Sequence, residues 1–248
     1  MTRSIYTLTL ILLGFFMHAQ EEIEETPLTA LALKFNYGFQ IPAGDLADRF
    51  GSNFVLGLGA EYIIKNGVFF GTEFDLHFGN KVKEDALASL RTAEGDIIGN
   101  DRSLSAVFPR MRAISAGIYI GKVISFGKLK NTGLKVSLGA GFIEHKIRFQ
   151  DDSNNAIQLF GDYVKGYDRL SNGFSLKQFV GYQYMSSDQR INIYGGFDFT
   201  EAFTKGRRDW NYDQFGPDKS SRTDILIGFR IGLILPFFFG ADPSTIYY

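Results

Sequence analysis

The chain has no cysteine among its 248 residues. This absence excludes a disulfide framework, thiolate metal sites, thiol catalysis and anchoring through a lipid-modified cysteine. An excess of positive charge is missing too, because 26 Lys and Arg residues stand against 27 Asp and Glu residues. A surface that neutralises many phosphates needs such an excess, so nucleic acid is not an expected partner.

Long apolar runs are also scarce, and the clearest one lies at the start of the chain. Residues 5–16 are mostly apolar, follow the positive charge of Arg3 and precede the small residue Ala19. The run is shorter than the ~20 residues of a spanning helix, which disfavours a retained membrane anchor. The pattern predicts a cleaved signal peptide over residues 1–19, followed by an acidic periplasmic lead-in over residues 20–28.

Aromatic residues and glycine are abundant, with 25 Phe, 12 Tyr and 28 Gly, yet the mean hydropathy is only -0.05. Such a mixture results when apolar and polar positions alternate. From Leu31 to Gln40 every second residue is a large apolar one, and residues 54–64 and 70–78 repeat the pattern. Between these two runs lies Asn66-Gly67, a pair that two-residue hairpin turns prefer. The alternation predicts β-strands with one apolar face.

Five further segments have the ~9–11 residues with which a tilted strand crosses a bilayer. Gln178 and Gly195 interrupt the apolar faces of two of them, and a change of phase after Phe142 predicts a β-bulge. The chain is therefore predicted to be all-β, an eight-stranded antiparallel transmembrane β-barrel over residues 29–239. The five segments lie at about 110–124, 133–149, 173–185, 191–204 and 222–238.

The connections between these strands alternate in length. Outer-membrane barrels have this asymmetry, with long extracellular loops and short periplasmic turns. An even number of strands then leaves both chain ends in the periplasm of a cell with an outer membrane. The long segments lie at about 42–52, 80–109, 150–172 and 205–221, and the short ones at 65–67, 125–132 and 186–190.

The positions between the apolar ones carry glycines and charged residues of both signs. Eight strands leave space only for side chains, so we expect these charges to pair inside a barrel without an open pore. A soluble lipocalin-like barrel, which packs its apolar residues inward, is the alternative. Most Phe and Leu residues would then compete for a very small interior, which favours the membrane barrel. The charged residues expected inside are Lys34, Glu61, Glu73, Asp75, Lys135, Lys177, Asp198 and Arg230.

Three motifs carry a resemblance to a known family. They are Ile41-Pro-Ala-Gly-Asp-Leu-Ala-Asp-Arg-Phe-Gly51, Gly166-Tyr-Asp-Arg-Leu-Ser-Asn-Gly173 and Arg230-Ile-Gly-Leu-Ile-Leu-Pro236. With them the chain resembles the small outer-membrane β-barrel proteins of Bacteroidota over nearly its whole mature length. The resemblance implies the barrel fold and no active-site residue. It also implies a link to accessory subunits of outer-membrane machines for protein secretion or barrel assembly.

Two of the long loops are rich in aromatic and basic residues. Large anchors of this kind bind protein partners or grip the phosphates of lipopolysaccharide; alternatively, they pack on one another to cap the barrel. The periplasmic tail over residues 240–248 ends in Tyr247 and Tyr248, which either dock on a partner or belong to a frayed terminus. The loop residues are Phe160, Tyr163, Tyr167 and Arg169, and Arg207, Arg208, Trp210, Tyr212 and Phe215.

Residues suited to catalysis are few. His77 and Asp75 share one face of a strand, and the remaining mature histidine, His145, offers no spacing typical of a metal site. We expect no metal and no cofactor. Serines near the outer rim keep a lipid-active enzyme open as a hypothesis, although serine is common in loops for turn formation alone. These serines are Ser103, Ser105, Ser171 and Ser175.

The features together favour a non-enzymatic outer-membrane β-barrel, an accessory or structural subunit of an envelope complex. Its expected partners are outer-membrane lipid, lipopolysaccharide and one or more envelope proteins. A lipid A-modifying outer-membrane enzyme and a surface receptor or adhesin are the alternatives.

Overall fold

The computed structural model describes residues 29–64, 66–125, 131–186 and 191–239. Eight long strands form a closed antiparallel barrel, and two short strands form a small hairpin beside it. The strands are β1 Thr29–Gly44, β2 Asn53–Ile63, β3 Val68–Gly79, β4 Ile97–Ile98, β5 Leu104–Ser105, β6 Val107–Ser125, β7 Gly133–Asp151, β8 Ser171–Met185, β9 Asn192–Gly206 and β10 Ser221–Phe239. The helical elements within the described residues are α1 Leu46–Arg49 and three 3-10 turns, Ala88–Leu90, Ile157–Leu159 and Tyr163–Gly166.

Each barrel strand pairs with its neighbour in the chain, and β10 closes the ring by pairing with β1 from Thr29↔Phe239 to Gly44↔Asp224. The eight predicted strands and the all-β fold are confirmed. One end of the barrel carries the long connections 45–52, 80–106, 152–170 and 207–220, and we call it the long-loop end. The opposite end, with the short connections and residues 29 and 239, is called the short-turn end.

The β-bulge predicted after Phe142 is wrong. β7 pairs with β6 residue by residue from Gly133↔Ser125 to Asp151↔Val107, with no extra residue on either strand. Ile143 and Ile147 point into the barrel and are buried, whereas Lys146 points outward. The apparent change of phase has a different cause. Beyond the lipid layer the interior becomes apolar and the exterior becomes polar, while the backbone continues its regular alternation.

The outward side chains of the strands are apolar and exposed, as at Leu33, Phe74, Ile118 and Phe197. The inward side chains include the buried charges and the glycines. A surface of this kind is stable against lipid and not against water, so the lipocalin-like alternative is wrong. The chain is a transmembrane β-barrel of the outer-membrane type. No helix among the described residues is long and apolar enough to cross a membrane.

The interior is filled in three layers along the barrel axis. Near the short-turn end, Phe69, Tyr119, Phe179 and Tyr194 form an apolar and aromatic layer with Ile234. The middle layer is ionic and is described below. At the long-loop end a second apolar layer forms around helix α1 and includes the buried side chains Leu46, Phe50, Ala86, Met111, Ala113, Ile143, Ile147, Ala202 and Leu226.

Two small interior cavities border the ionic layer. One, lined by Lys34, Glu73 and Lys177 among others, has a volume of about 30 Å³, and another, lined by His77 and Ser175 among others, has about 20 Å³. A space of this size holds about one water molecule. The described interior is therefore packed and does not form a channel wide enough for solutes.

Candidate functional site

The ionic layer has two parts that line the same interior cavity, and the first is centred on Glu61. Lys34 Nζ donates to Glu61 Oε1 at 2.6 Å, and Lys135 Nζ donates to Glu61 Oε2 at 2.7 Å. Lys135 also donates to Gln183 Oε1 at 2.7 Å. These residues come from β1, β2, β7 and β8, so the contacts cross the barrel. Each carboxylate oxygen of the fully buried Glu61 has a charged donor, which is what a buried carboxylate requires.

The second part is centred on Arg230, which lies between two buried carboxylates. Arg230 Nη1 lies 3.3 Å from Asp75 Oδ2, and Arg230 Nε lies 3.1 Å from Asp198 Oδ1. Lys177 Nζ contacts Asp75 Oδ2 at 2.8 Å and Glu73 Oε1 at 2.6 Å. The structure thus brings together all eight charged residues expected inside, four bases with four acids. The layer is electrically balanced, and no excess charge is left to select ions.

Gly57 makes room for this ionic layer. A Cβ atom at this position would lie 2.2 Å from Asp75 Oδ1 and 2.4 Å from Asn36 Nδ2. Both atoms belong to groups that contact Arg230. A side chain at residue 57 would therefore displace the carboxylate from its cationic partner, which explains why a glycine stands here.

The histidines considered for catalysis or metal binding are engaged in buried hydrogen bonds. Gln40 donates from Nε2 to Asp198 Oδ2 at 2.9 Å, and its Oε1 lies 2.9 Å from His77 Nδ1. His77 Nε2 lies 3.0 Å from Ser115 Oγ. His77 therefore belongs to a hydrogen-bonded chain that ends on the ionic layer. Among the described residues, no group of three or more His, Asp and Glu side chains could hold a metal ion.

His145 lies under helix α1 and is equally enclosed. Its Nε2 lies 2.8 Å from Asp224 Oδ2, and Thr204 Oγ1 donates to the same oxygen at 2.5 Å. The ring of Phe50 packs edge-on against the imidazole, with centroids 5.8 Å apart. Ser171, the strand neighbour of His145, has its hydroxyl between Arg49 and the carbonyl of Arg169. His145 and Ser171 are both buried, so a lipid substrate has no space to reach them.

Of the other serines proposed for a lipid-active enzyme, two are bound to nearby carboxylates. Ser103 Oγ donates to Asp101 Oδ1 at 2.7 Å, and Ser105 Oγ donates to Asp151 Oδ1 at 2.9 Å. Ser175 lines the cavity of about 20 Å³ next to His77. The structure does not bring either Ser103 or Ser105 to a histidine.

Helix α1 closes the long-loop end because of its spacing. Leu46 and Phe50 are four residues apart, so they lie on the same side of one helical turn, and both are fully buried in the apolar layer. Phe50 N donates to Leu46 O at 2.9 Å, which fixes that turn. This turn lies within the first of the three sequence motifs. Leu46 and Phe50 therefore fill the barrel interior at the long-loop end and close it.

Above α1 a chain of ion pairs joins all four long loops. Glu84 accepts from Arg49 Nε at 2.9 Å and from Arg169 Nε at 2.7 Å, and Arg169 also pairs with Asp213. The four residues come from the four long connections in turn. We call Arg49, Glu84, Arg169 and Asp213 the four-loop ion-pair chain. Burial acts to lower the pKa of the Arg169 guanidinium, but Asp213 and Glu84 hold that pKa above its ordinary value.

The loops at 152–170 and 207–220 also pack directly on each other. The rings of Tyr167 and Tyr212 have centroids 5.1 Å apart. A Cβ atom on Gly166 would lie 2.1 Å from the Tyr212 ring, so only glycine permits this contact. Arg208 pairs with the buried Asp168, and the hydrogen bond between them raises the pKa of the guanidinium. Arg207 Nε donates to Asn172 Oδ1 at 2.5 Å.

The predicted loop residues thus separate into two groups. Tyr167 is only 7% exposed, so it supports the loops from within. Tyr163 is 64% exposed, Trp210 48% and Phe215 79%, and Phe215 has a left-handed φ of 51°. We call Tyr163, Trp210, Tyr212 and Phe215 the loop aromatic surface. The sequence pointed to both groups through their aromatic content, but it gave no sign of Arg49, Glu84 and Asp213.

Some predictions fall on residues that the structure does not describe. They are the signal peptide over residues 1–19, the lead-in over residues 20–28, and the tail over residues 240–248 with Tyr247 and Tyr248. All lie outside the described residues.

No protein-family model matches the chain, and no curated protein sequence does. Solved structures of similar fold exist. Neisserial surface protein A (NspA) is 13% identical, with 84% of this chain and 99% of that one covered and a TM-score of 0.44. The attachment invasion locus protein Ail of Yersinia pestis is 11% identical, with 84% and 99% covered and a TM-score of 0.40. The outer membrane protein OprG of Pseudomonas aeruginosa is 10% identical, with 86% and 99% covered and a TM-score of 0.40. The likeness extends to the barrel fold and no further.

Proposed function

We propose that this chain is a non-enzymatic subunit of an outer-membrane complex that binds an envelope protein through the loop aromatic surface. The four-loop ion-pair chain carries this proposal. It joins all four long connections above the end of the barrel that α1 closes. The loops therefore form one pre-organised cap. A surface that is rigid before binding loses less conformational entropy when a partner docks.

The chemistry of the exposed residues supports a protein partner. Tyr and Trp are the side chains that most often dominate protein interfaces. Phe215 is strongly exposed and holds a backbone conformation that costs energy for a residue other than glycine. An exposed apolar side chain is unfavourable in water, and burial by a protein partner would remove this cost. A surface receptor or adhesin would use the same surface, and the identity of the bound molecule separates the two functions.

The orientation follows from the general asymmetry of these barrels, in which long loops face the cell exterior. On this proposal both strand ends at residues 29 and 239 face the periplasm, and the tail over residues 240–248 extends there. The loop aromatic surface then faces outward, where a secretion or assembly partner or a surface protein is accessible.

The partner is tested by purifying the full chain, tagged and at native level, in mild detergent and identifying bound proteins by mass spectrometry. We expect a stoichiometric envelope protein with the native chain. The triple variant Tyr163→Ser, Trp210→Ser, Phe215→Ser should recover at least about tenfold less of it, since interface anchors each contribute 2 kcal/mol or more. The matched control is Ile98→Ser with Leu104→Ser, which removes exposed apolar side chains from another long loop.

Two outcomes contradict this proposal. One is a native chain that purifies without any stoichiometric protein, and the other is a triple variant that stays folded and retains its partner. Deleting residues 240–248 tests the tail in the same assay. Unchanged recovery of the partner after this deletion removes Tyr247 and Tyr248 from the interface.

The orientation has its own test, which the lack of cysteine makes simple. A single cysteine at position 215 (Phe215→Cys) should react with a membrane-impermeant maleimide in intact cells. A single cysteine in the β2–β3 turn (Asn66→Cys) should react only after the outer membrane is permeabilised, because that turn lies at the opposite end. Labelling of Asn66→Cys but not Phe215→Cys in intact cells would reverse the orientation.

A further inference from the structure

Four basic side chains form a compact group on the outer wall of the barrel. β6 carries Arg110 and Arg112, β7 carries Lys146 and Arg148, and the strand register places Arg110 opposite Arg148 and Arg112 opposite Lys146. All four alternate with the buried, inward residues of their strands, so they point away from the barrel. Lys146 and Arg148 are exposed, and the two arginines of β6 are half-buried. We call these four residues the β6–β7 basic patch.

The charges of the patch have no acidic counterpart among the described residues. Arg110 donates to the neutral oxygens of Gln150 at 2.7 Å and Asn80 at 2.6 Å, and Arg112 donates to the carbonyl of Met111 at 2.7 Å. The nearest outward carboxylates along β7, at residues 144 and 152, instead accept hydrogen bonds from Asn172 and Gln150. Like charges directly opposite each other in a sheet are destabilising. The patch therefore carries an electrostatic cost that an anionic ligand would relieve.

The position of the patch defines the kind of ligand. Ile114 and Phe142 are the first outward apolar residues on the lipid side of the patch in β6 and β7, and beyond the patch β6 carries one more exposed outward apolar residue, Phe108. Arg112 is two residues beyond Ile114 and Arg110 four residues beyond it. At ~3.4 Å per residue and a tilt of ~45°, these distances correspond to roughly 5 and 10 Å above the apolar layer. The polar layer of a bilayer is about 5–7 Å thick on each side, so Arg112 and Lys146 lie at headgroup level, and Arg110 and Arg148 lie just beyond it, within reach of the headgroups through their long side chains.

We propose that the β6–β7 basic patch is a binding site for the phosphate groups of lipid A in the outer leaflet. The guanidinium groups of three arginines match phosphate oxygens in paired hydrogen bonds, and Lys146 adds a point charge. The patch faces lipid from the wall of the barrel, directly above Ile114 and Phe142, so a lipid headgroup reaches it with its acyl chains against the apolar surface. The inference uses the orientation given under the proposed function, and no contact with a protein partner.

The test is a titration of the full chain in detergent with bis-phosphorylated lipid A, followed by native mass spectrometry. We expect a saturable complex with the native chain. The variant Arg110→Gln, Arg112→Gln, Lys146→Gln, Arg148→Gln should bind at least about tenfold more weakly, since each basic side chain near an anionic lipid surface contributes about fivefold. The matched control removes four exposed charges from the long loops, Lys81→Gln, Arg102→Gln, Lys165→Gln and Lys219→Gln, and should bind as the native chain does.

Two further ligands separate the possible sources of phosphate. Lipid A with the same acyl chains and no phosphate should bind at least about tenfold more weakly than the bis-phosphorylated form. Inorganic pyrophosphate should not compete at equal concentration, because it lacks the chains that hold the headgroup against the wall. Equal binding of the dephosphorylated lipid, or equal affinity for free pyrophosphate, would overturn the proposal of a lipid A phosphate site.

A smaller variant guards against a folding defect. Lys146→Gln with Arg148→Gln changes only exposed side chains, and it should still weaken lipid A binding about fivefold or more. Unchanged binding by this pair overturns the proposal. The triple loop variant described above should bind lipid A normally, so loss of the protein partner and loss of the lipid remain distinct results. A reversed orientation in the cysteine labelling would place the patch at the inner leaflet, away from lipid A, and would overturn the lipid A assignment while leaving the protein-partner result separate.

Discussion

Replacing Arg230 by leucine is expected to lower the free energy of unfolding by about 3–5 kcal/mol, the cost of breaking a buried ion pair from one side. Arg230 contacts both Asp75 and Asp198, and all three side chains are buried. Without the guanidinium, Lys177 is left as the cation for Asp75, and Asp198 keeps only a neutral donor from Gln40. The change is measured by urea unfolding of the full chain, with the folded fraction read from its faster migration in unheated gels.

The matched control for this substitution is Lys205→Leu on the neighbouring strand β9. Lys205 is exposed at the long-loop end, so its replacement should change the free energy of unfolding by less than about 0.5 kcal/mol. Arg230→Lys keeps the charge but not the planar guanidinium group. Its loss of free energy of unfolding should lie between those of Arg230→Leu and Lys205→Leu. If Arg230→Leu unfolds at the same urea concentration as Lys205→Leu, the ionic layer does not stabilise the barrel.

The second large effect is expected in the apolar layer at the long-loop end, where Phe50→Ala should destabilise the barrel by about 3–5 kcal/mol. Phe50 is fully buried beside Leu46 and Met111, and its ring covers His145. The truncation leaves a cavity under helix α1 that the rigid strands cannot close. Because Arg49 precedes Phe50, loosening of α1 also weakens the four-loop ion-pair chain. We therefore expect faster proteolysis within residues 80–106 and 207–220, together with the lower unfolding midpoint.

Phe215→Ala is the control for this truncation, because it removes the same side chain from an exposed loop position. It should change the free energy of unfolding by less than about 0.5 kcal/mol and should not increase proteolysis within residues 80–106. Equal stability of Phe50→Ala and Phe215→Ala would show that packing of α1 into the barrel end does not stabilise the fold. The pair of variants also links stability to function, because only Phe215 belongs to the proposed partner surface.

A barrel that is closed by two apolar layers and an ionic layer has its functional surfaces on the outside. The described interior offers cavities of about 30 and 20 Å³, too small for a substrate. Two external features carry the proposals, the loop aromatic surface at the tip and the β6–β7 basic patch on the wall. On the two proposals they face different surroundings, protein at the tip and lipid headgroups at the wall. A subunit held firmly in the outer leaflet while it presents a rigid cap is consistent with both.

The barrel itself was predictable because lipid imposes a strict rule on every strand. Nearly all outward residues within the lipid layer are apolar, so the pattern of β1 from Leu31 to Gln40 reveals both the strand and its lipid-facing side. The same rule explains why a β-bulge was wrongly predicted near the long-loop end of β7. β7 continues to Asp151 in regular pairing, but beyond Phe142 its outward residues leave the lipid and become polar. A pattern based on hydropathy ends there, although the backbone pairing does not.

The sequence by itself determined the number of barrel strands, the side that faces lipid and the balanced set of eight interior charges. These depend on a local period of two residues, which the chain carries in every strand. Only the tertiary structure decided which charges pair, because Arg230 and Asp75 are 155 residues apart. It also decided that Tyr167 is buried while Tyr163 is exposed, and that Arg49, Glu84, Arg169 and Asp213 meet. Loops have no repeating pattern, so contacts between them follow from the closed ring of strands that brings their ends together.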